Sequence, residues 1–251
     1  MNCPICHTPN TEDHNFCKEC GAALNKKIED YQKILQNATF LESNGKLEEA
    51  LQEFIRADEK KRTPEICLHI ANLLYRMGRL DKAIERFNLC LGAGPNLAGA
   101  YYGLGLALYR KARITEAIEQ FKKTIRIDPE FLMAYYWLGI CYYHHGEMQE
   151  ASKILNDLVK KNPGFTIAYY HLGEIYTQMG KVDETIESFQ KVVEQNPYDS
   201  PAYFHLGLGY YKKGELDKAI ESFKRVLEVD PDHKRAQHNL KILEDVRMQF
   251  F

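Results

Sequence analysis

The sequence predicts an all-α repeat protein: a solenoid of stacked helix-turn-helix units behind a small four-cysteine module. Three observations carry this. Pro95, Pro129, Pro163, Pro197 and Pro231 are each 34 residues apart, a step typical of stacked helical pairs. Other columns keep the same step, among them Phe87, Phe121, Leu155, Phe189 and Phe223. Four of the seven cysteines lie in the first twenty residues, in two pairs of equal spacing.

Each column has a mechanical reading. Gly78, Gly146, Gly180 and Gly214, with Ala112 in the same series, fit the residue that ends a helix in the left-handed conformation. Ile70, Leu104, Leu138, Leu172 and Leu206 precede Ala71, Gly105, Gly139, Gly173 and Gly207. Glycine inside a helix costs about 1 kcal/mol against alanine, so its recurrence points to close helix approach. Ala83, Ala117, Ala151, Thr185 and Ala219 are the small residues expected to receive that approach. The proline ends the second helix, and Asp128, Asn162, Asn196 and Asp230 before it favour the turn.

These columns resemble the tetratricopeptide repeat family. One unit carries Tyr135, Leu138, Gly139, Tyr142, Ala151, Leu155 and Pro163; the next carries Tyr169, Leu172, Gly173, Tyr176, Thr185, Phe189 and Pro197. Units begin near residues 64, 98, 132, 166 and 200, and Cys67 takes an aromatic position in the first of these. An earlier unit over 31–63 is degenerate: it keeps Ala38, Gly45, Ala50 and Phe54, lacks the proline, has Asn37 at an apolar position and is one residue short. The resemblance implies antiparallel helix pairs stacked into a right-handed superhelix. Residues 1–24 form the cysteine module, 25–30 a link, 31–233 about six repeats and 234–251 a capping helix, polar on one side as a solenoid end requires.

The stretch 134–146, AYYWLGICYYHHG, is the densest in aromatics. On a helix Tyr135, Leu138, Gly139 and Tyr142 share one face, and Tyr136, Ile140 and Tyr143 another. The family resemblance implies that the first face packs in the core and the second lines a concave peptide-binding groove. The expected groove residues are Tyr102, Tyr109, Tyr136, Trp137, Ile140, Tyr143, Tyr170, His171, Phe204 and Tyr211. Arg76, Arg110 and Lys212 stand on its rim. Family members that clamp a terminal carboxylate place Asn and Lys or Arg in the columns between the tyrosines; here only Asn72 fits. The groove reads as a site for an extended or helical peptide with hydrophobic side chains.

Cys3 and Cys6, and ten residues later Cys17 and Cys20, have the spacing of two knuckles that present four thiolates to one ion. Gly21 suits the turn after the second pair, and His7 holds the equivalent place after the first. The segment resembles the short zinc-ribbon family at the starts of many prokaryotic proteins. Four cysteines leave no open coordination position, so the zinc is expected to be structural; an iron site of rubredoxin type is the chemical rival. A module this small depends on its metal to fold. His7 and His14 are expected to be exposed rather than ligating.

Composition narrows the function. The 251 residues carry 27% charged residues and a formal net charge of -2, and residues 1–24 alone carry -2. Nucleic acid and anionic membranes are therefore not expected partners. The N-terminus lacks the basic start and apolar core of a secretory signal, so a cytoplasmic protein is expected. His144 and His145 point about 100° apart on a helix and do not converge on one ion; Cys67, Cys90 and Cys141 belong to repeat columns and read as inert buried thiols. No phosphate loop, nucleophile elbow or paired carboxylates stand out, and no chain is left for a catalytic domain. The expected function is non-enzymatic: a scaffold or adaptor that binds a protein or peptide, with self-association left open. The alternatives are a nucleic-acid-associated regulator acting through the ribbon and a non-catalytic subunit of an enzyme complex.

Overall fold

The structure is a computed structural model. It describes the chain except residues 1, 4, 12–15, 22–25, 95 and 251, and describes only the backbone of residues 26–29, 249 and 250. Pro95 of the proline column, His14 and Asn25 thus lie outside the described residues. The chain divides into two compact units, Met1–Ile127 and Asp128–Phe251.

The first unit holds the cysteine segment and α1 (Lys26–Ser43), α2 (Leu47–Lys60), α3 (Pro64–Arg76), α4 (Leu80–Ala93), α5 (Ala98–Arg110) and α6 (Ile114–Ile127). The second holds α7 (Leu132–His145), α8 (Met148–Lys161), α9 (Thr166–Gln178), α10 (Val182–Gln195), α11 (Ser200–Lys213), α12 (Leu216–Val229) and α13 (Lys234–Phe250). Odd and even helices pack as pairs, and within each unit successive pairs stack. Helix α1 begins at Lys26, inside the 25–30 stretch expected as a link. That stretch is polar, but nothing in it breaks a helix, and no residue between 26 and 43 is Gly or Pro.

Local chemistry sets the boundaries. Thr63 caps α3 by accepting from Ile66 N at 3.3 Å, with Pro64 at the first helical position. Asp199 caps α11 in the same way, accepting from Ala202 N at 2.9 Å. Asp128, Asn162 and Asn196 each accept from the backbone two residues on, at 3.0, 3.1 and 3.3 Å, which turns the chain across the proline. Within a pair, Gly146 sits at φ 87° and Ala112 at φ 58°. The same bond closes both turns: Glu147 N to Tyr142 O, and Arg113 N to Leu108 O, each 2.9 Å.

The second helices supply the core. Phe54, Phe87, Phe121, Leu155, Phe189 and Phe223 are at most 1% exposed, and the alanines at 50, 83, 117, 151 and 219 are fully covered. The glycine column lies against the large core side chains of the second helices. A Cβ on Gly105, Gly173 or Gly207 would lie 2.7, 2.5 or 2.7 Å from the rings of Phe121, Phe189 or Phe223, and one on Gly139 2.6 Å from Leu155. The reason is size: the flat patch left by glycine admits the large core side chain of its own pair. Where α3 has Ala71 instead, the ring of Phe87 lies against Gly103 of the following pair.

Candidate functional site

The cysteine segment is built as two matching knuckles. His7 N donates to Cys3 O at 3.0 Å, and Gly21 N to Cys17 O at 2.9 Å. His7 and Gly21 take left-handed conformations, φ 59° and 69°. An antiparallel bridge between Asn2 and Pro9 closes the first knuckle. Cys3 and Cys17 are buried, Cys6 and Cys20 exposed. The four Sγ atoms all lie within 4.8 Å of one another, with Cys3–Cys20 at 3.5 Å and Cys6–Cys17 at 3.4 Å. A tetrahedron with metal–sulfur bonds of about 2.3 Å has edges of about 3.8 Å, so the donor set fits one ion.

The surroundings favour thiolates. Ile5 N and Cys6 N point at Cys3 Sγ at 3.4 and 3.5 Å. Asn10, 8% exposed, places Nδ2 3.5 Å from Cys17 Sγ and 2.7 Å from Thr8 O, while its Oδ1 accepts from Lys18 N at 3.0 Å. It therefore ties the two knuckles together. The backbone N–H of Cys20 holds the Cys17 thiol down at about 6, and hydrogen bonding with the side chain and backbone of Thr8 holds Cys6 below its ordinary value. His7 is exposed.

The second candidate is the aromatic face of α7, α9 and α11. Tyr136 contacts the rings of Trp137, Phe165 and His171 at centroid distances of 5.4, 5.7 and 5.8 Å. Tyr170 meets His171 at 6.2 Å and His205 at 6.0 Å. Phe204 meets His205 at 6.2 Å and His233 at 5.0 Å. The rings thus form one unbroken ladder across three repeats to the start of α13. Polar bonds fix it: Tyr136 Oη lies 3.2 Å from His171 Nε2, and His171 Nδ1 2.9 Å from Glu174 Oε2. Gln178 Nε2 donates to Tyr143 Oη at 2.7 Å. His205 stacks on Phe189 at 4.7 Å and 5°, and burial pushes its imidazole below the ordinary range.

Tyr136, Trp137, Tyr143, Tyr170 and His171 are half-buried and Tyr211 is 53% exposed. Ile140 and Phe204 are not open groove surface, being 4% and 6% exposed. Ile140 lies one turn from both Tyr136 and Tyr143 on α7. Phe204 is covered by His233 and by the Arg235 guanidinium 4.8 Å above its ring. In the first unit Tyr102 and Tyr109 are half-buried on α5, and Tyr102 tilts against Phe121 at 5.9 Å.

Two rim cations are engaged. Arg76 pairs with Glu42 at 2.8 Å, and Arg110 lies 5.0 Å over the Tyr75 ring. Phe165, His233, Glu174 and Asn10 escaped the sequence reading. Glu174 left a signal, as the acidic residue in the column of Leu106, Ile140 and Leu208; Asn10 left none, since the module has no repeat to compare it with.

The remaining candidates join neither the thiolate cluster nor the ring ladder, and the His144 ring tilts against that of Tyr143 at 5.3 Å. His144 and His145 are exposed, and His145 Nδ1 lies 2.7 Å from Glu147 Oε1. Cys67, Cys90 and Cys141 are at most 1% exposed. Burial raises the Cys90 thiol and pushes Cys141 up to about 12. Among the described residues no helix is long and apolar enough to cross a membrane.

Helix pairs with this column pattern define a repeat protein of stacked helical hairpins. Tetratricopeptide repeat models match residues 68–130, 108–175, 166–199 and 200–233, and the chain belongs to the tetratricopeptide repeat family. No curated protein matches it. Among solved structures, YrrB, described as a TPR protein with an unusual peptide-binding site, is 28% identical, with TM-score 0.67 over 75% of this chain and 97% of that one. A MamA protein is 31% identical, with TM-score 0.63 over 68% and 94%. MamA from Desulfovibrio magneticus is 25% identical, with TM-score 0.62 over 68% and 96%.

Proposed function

We propose that this chain is a non-catalytic scaffold whose α7–α9–α11 face binds a peptide or protein segment. The observation that carries this is the ladder of rings from Trp137 to His233. Half-buried tyrosines offer large contact area at small entropic cost, and their hydroxyls suit a peptide backbone. The likeness to YrrB, described as peptide-binding, supports the same reading. The four cysteines hold one structural zinc ion: an all-thiolate set closes the coordination shell and supplies folding energy to the segment, with no position left for catalysis.

The test is to pan a random peptide library against the full-length protein and measure the recovered peptides by fluorescence anisotropy. A Tyr136→Ala, Tyr170→Ala variant should weaken them by ~2 kcal/mol or more if these are anchor residues. Changing Glu187 and Lys191 on α10 should leave binding alone. Peptides that ignore the double alanine variant would place recognition elsewhere.

A further inference from the structure

Residues twelve along each first helix are Tyr75, Tyr109, Tyr143, Thr177 and Tyr211. The next position carries Arg76, Arg110, His144, Gln178 and Lys212. Within each unit the two columns meet across successive repeats. Arg110 lies over the ring of Tyr75 at 5.0 Å, and Gln178 donates to the hydroxyl of Tyr143 at 2.7 Å. The corresponding partner of Lys212 is Thr177, which has no ring to offer. Lys212 is exposed and has no hydrogen-bond or ion-pair partner among the described residues, whereas its neighbour Lys213 pairs with Asp183 and Glu215.

A recess of about 50 Å³ stands at this place, lined by Thr177, Val182, Thr185, His205, Leu208 and Lys212. Gly209 forms part of its wall, where the same column elsewhere holds Leu73, Ala107, Cys141 and Ile175, and Ile186 packs against it so closely that a Cβ would stand 2.9 Å away. The Thr177 and Thr185 hydroxyls both donate to backbone carbonyls, Gly173 O and Lys181 O, at 2.7 Å each. Neither therefore calls for a polar ligand. The recess is apolar with one unpartnered ammonium at its mouth, and it adjoins the ring ladder through His205.

We propose that the recess is the anchor pocket of the groove, taking an aromatic side chain of a partner peptide with a carboxylate beside it on Lys212. The inference rests on the peptide-binding reading above. The repeats themselves supply the geometric precedent: a ring in this column is met by the following repeat's long polar side chain. The recess admits the leading edge of a ring, and the rest lies along His205 and Lys212, as the half-buried Tyr143 lies along Gln178. The ammonium then gains either a cation–π contact or an ion pair with the adjacent carboxylate.

The experiment uses peptides panned on the full-length protein and resynthesised with labels. The enriched peptides should pair an aromatic residue with a nearby Asp, Glu or free C-terminus. Thr177→Tyr, which fills the recess from within, should lower their affinity about tenfold or more while leaving thermal stability equal or higher. Lys212→Glu should lower it by a similar factor, and C-terminal amidation separates a terminal carboxylate from a side-chain one. If Thr177→Tyr fails to fold, N-acetyl-tyrosine titrated into the wild-type protein should move the methyl resonances of Thr177, Val182 and Leu208. Peptides weakened by Tyr136→Ala, Tyr170→Ala but untouched by Thr177→Tyr and Lys212→Glu overturn the pocket and leave the groove standing. Peptides indifferent to all of these changes, or panning that enriches none, overturn both. Absence of methyl shifts with N-acetyl-tyrosine overturns the pocket.

Discussion

Gly173 lies directly under Phe189, so that a Cβ at position 173 would stand 2.5 Å from the ring. Gly207 and Phe223 repeat the contact at 2.7 Å, and Gly139 meets the more pliable Leu155 at 2.6 Å. Helix propensity favours alanine over glycine by about 1 kcal/mol, and overpacking opposes it with ~1–3 kcal/mol. A rigid ring has nowhere to go; a leucine can change rotamer. Gly173→Ala and Gly207→Ala should therefore destabilise by up to ~2 kcal/mol net, and Gly139→Ala by less. Gly139→Leu should cost more than any of them. Denaturant midpoints give the ranking, and equal effects at all three sites would remove the ring as the cause.

Ala112 holds a conformation that its counterparts leave to glycine, at φ 58°. A left-handed L-residue costs roughly 1 kcal/mol or more. Ala112→Gly is expected to raise stability by ~0.5–1 kcal/mol, part of the relief being returned as unfolded-chain entropy. Gly146→Ala, at φ 87°, should move stability the opposite way. A drop in melting temperature for Ala112→Gly would contradict this account of the turn.

The cysteine cluster predicts about one metal ion per chain, read by elemental analysis. A Cys17→Ser, Cys20→Ser protein should lose it; retained metal would refute the assignment. Asn10 bonds Cys17 Sγ and both knuckle backbones, so Asn10→Ala should keep the metal but release it to a chelator ~10-fold more readily. Chelation should leave the helical signal nearly unchanged, because the repeats carry their own apolar core.

Much of this molecule was legible because repetition lets each residue be compared with its counterparts. The 34-residue step places Phe87, Gly139 and Ala112 without coordinates. The partner of the glycine column was not legible, since spacing says that a close approach exists and not which side chain fills it. The same limit explains Ile140 and Phe204. Periodicity puts them on the second stripe, yet what covers a stripe depends on side-chain length and on the next element, for Phe204 His233 and Arg235. Glu174 and Gln178 matter only through bonds to His171 and Tyr143, which no single column displays.

The last prediction concerns acid. His205 is stacked on Phe189 and its imidazole is depressed, first by burial and then by the Arg235 charge, with Glu174 opposing. In the unfolded chain it regains a pKa near about 6.5. As pH falls below that value the unfolded state binds a proton that the folded state refuses. By linkage, stability then falls with pH until the folded imidazole also titrates. Above this window the residue contributes no pH dependence. His205→Phe keeps an aromatic ring over Phe189 and removes the proton site. The stability lost between pH 7.5 and 5.5 should be smaller in that variant than in wild type, measured by urea unfolding at both values. An identical loss would show that His205 titrates alike in both states, and would detach the acid response from the ring ladder.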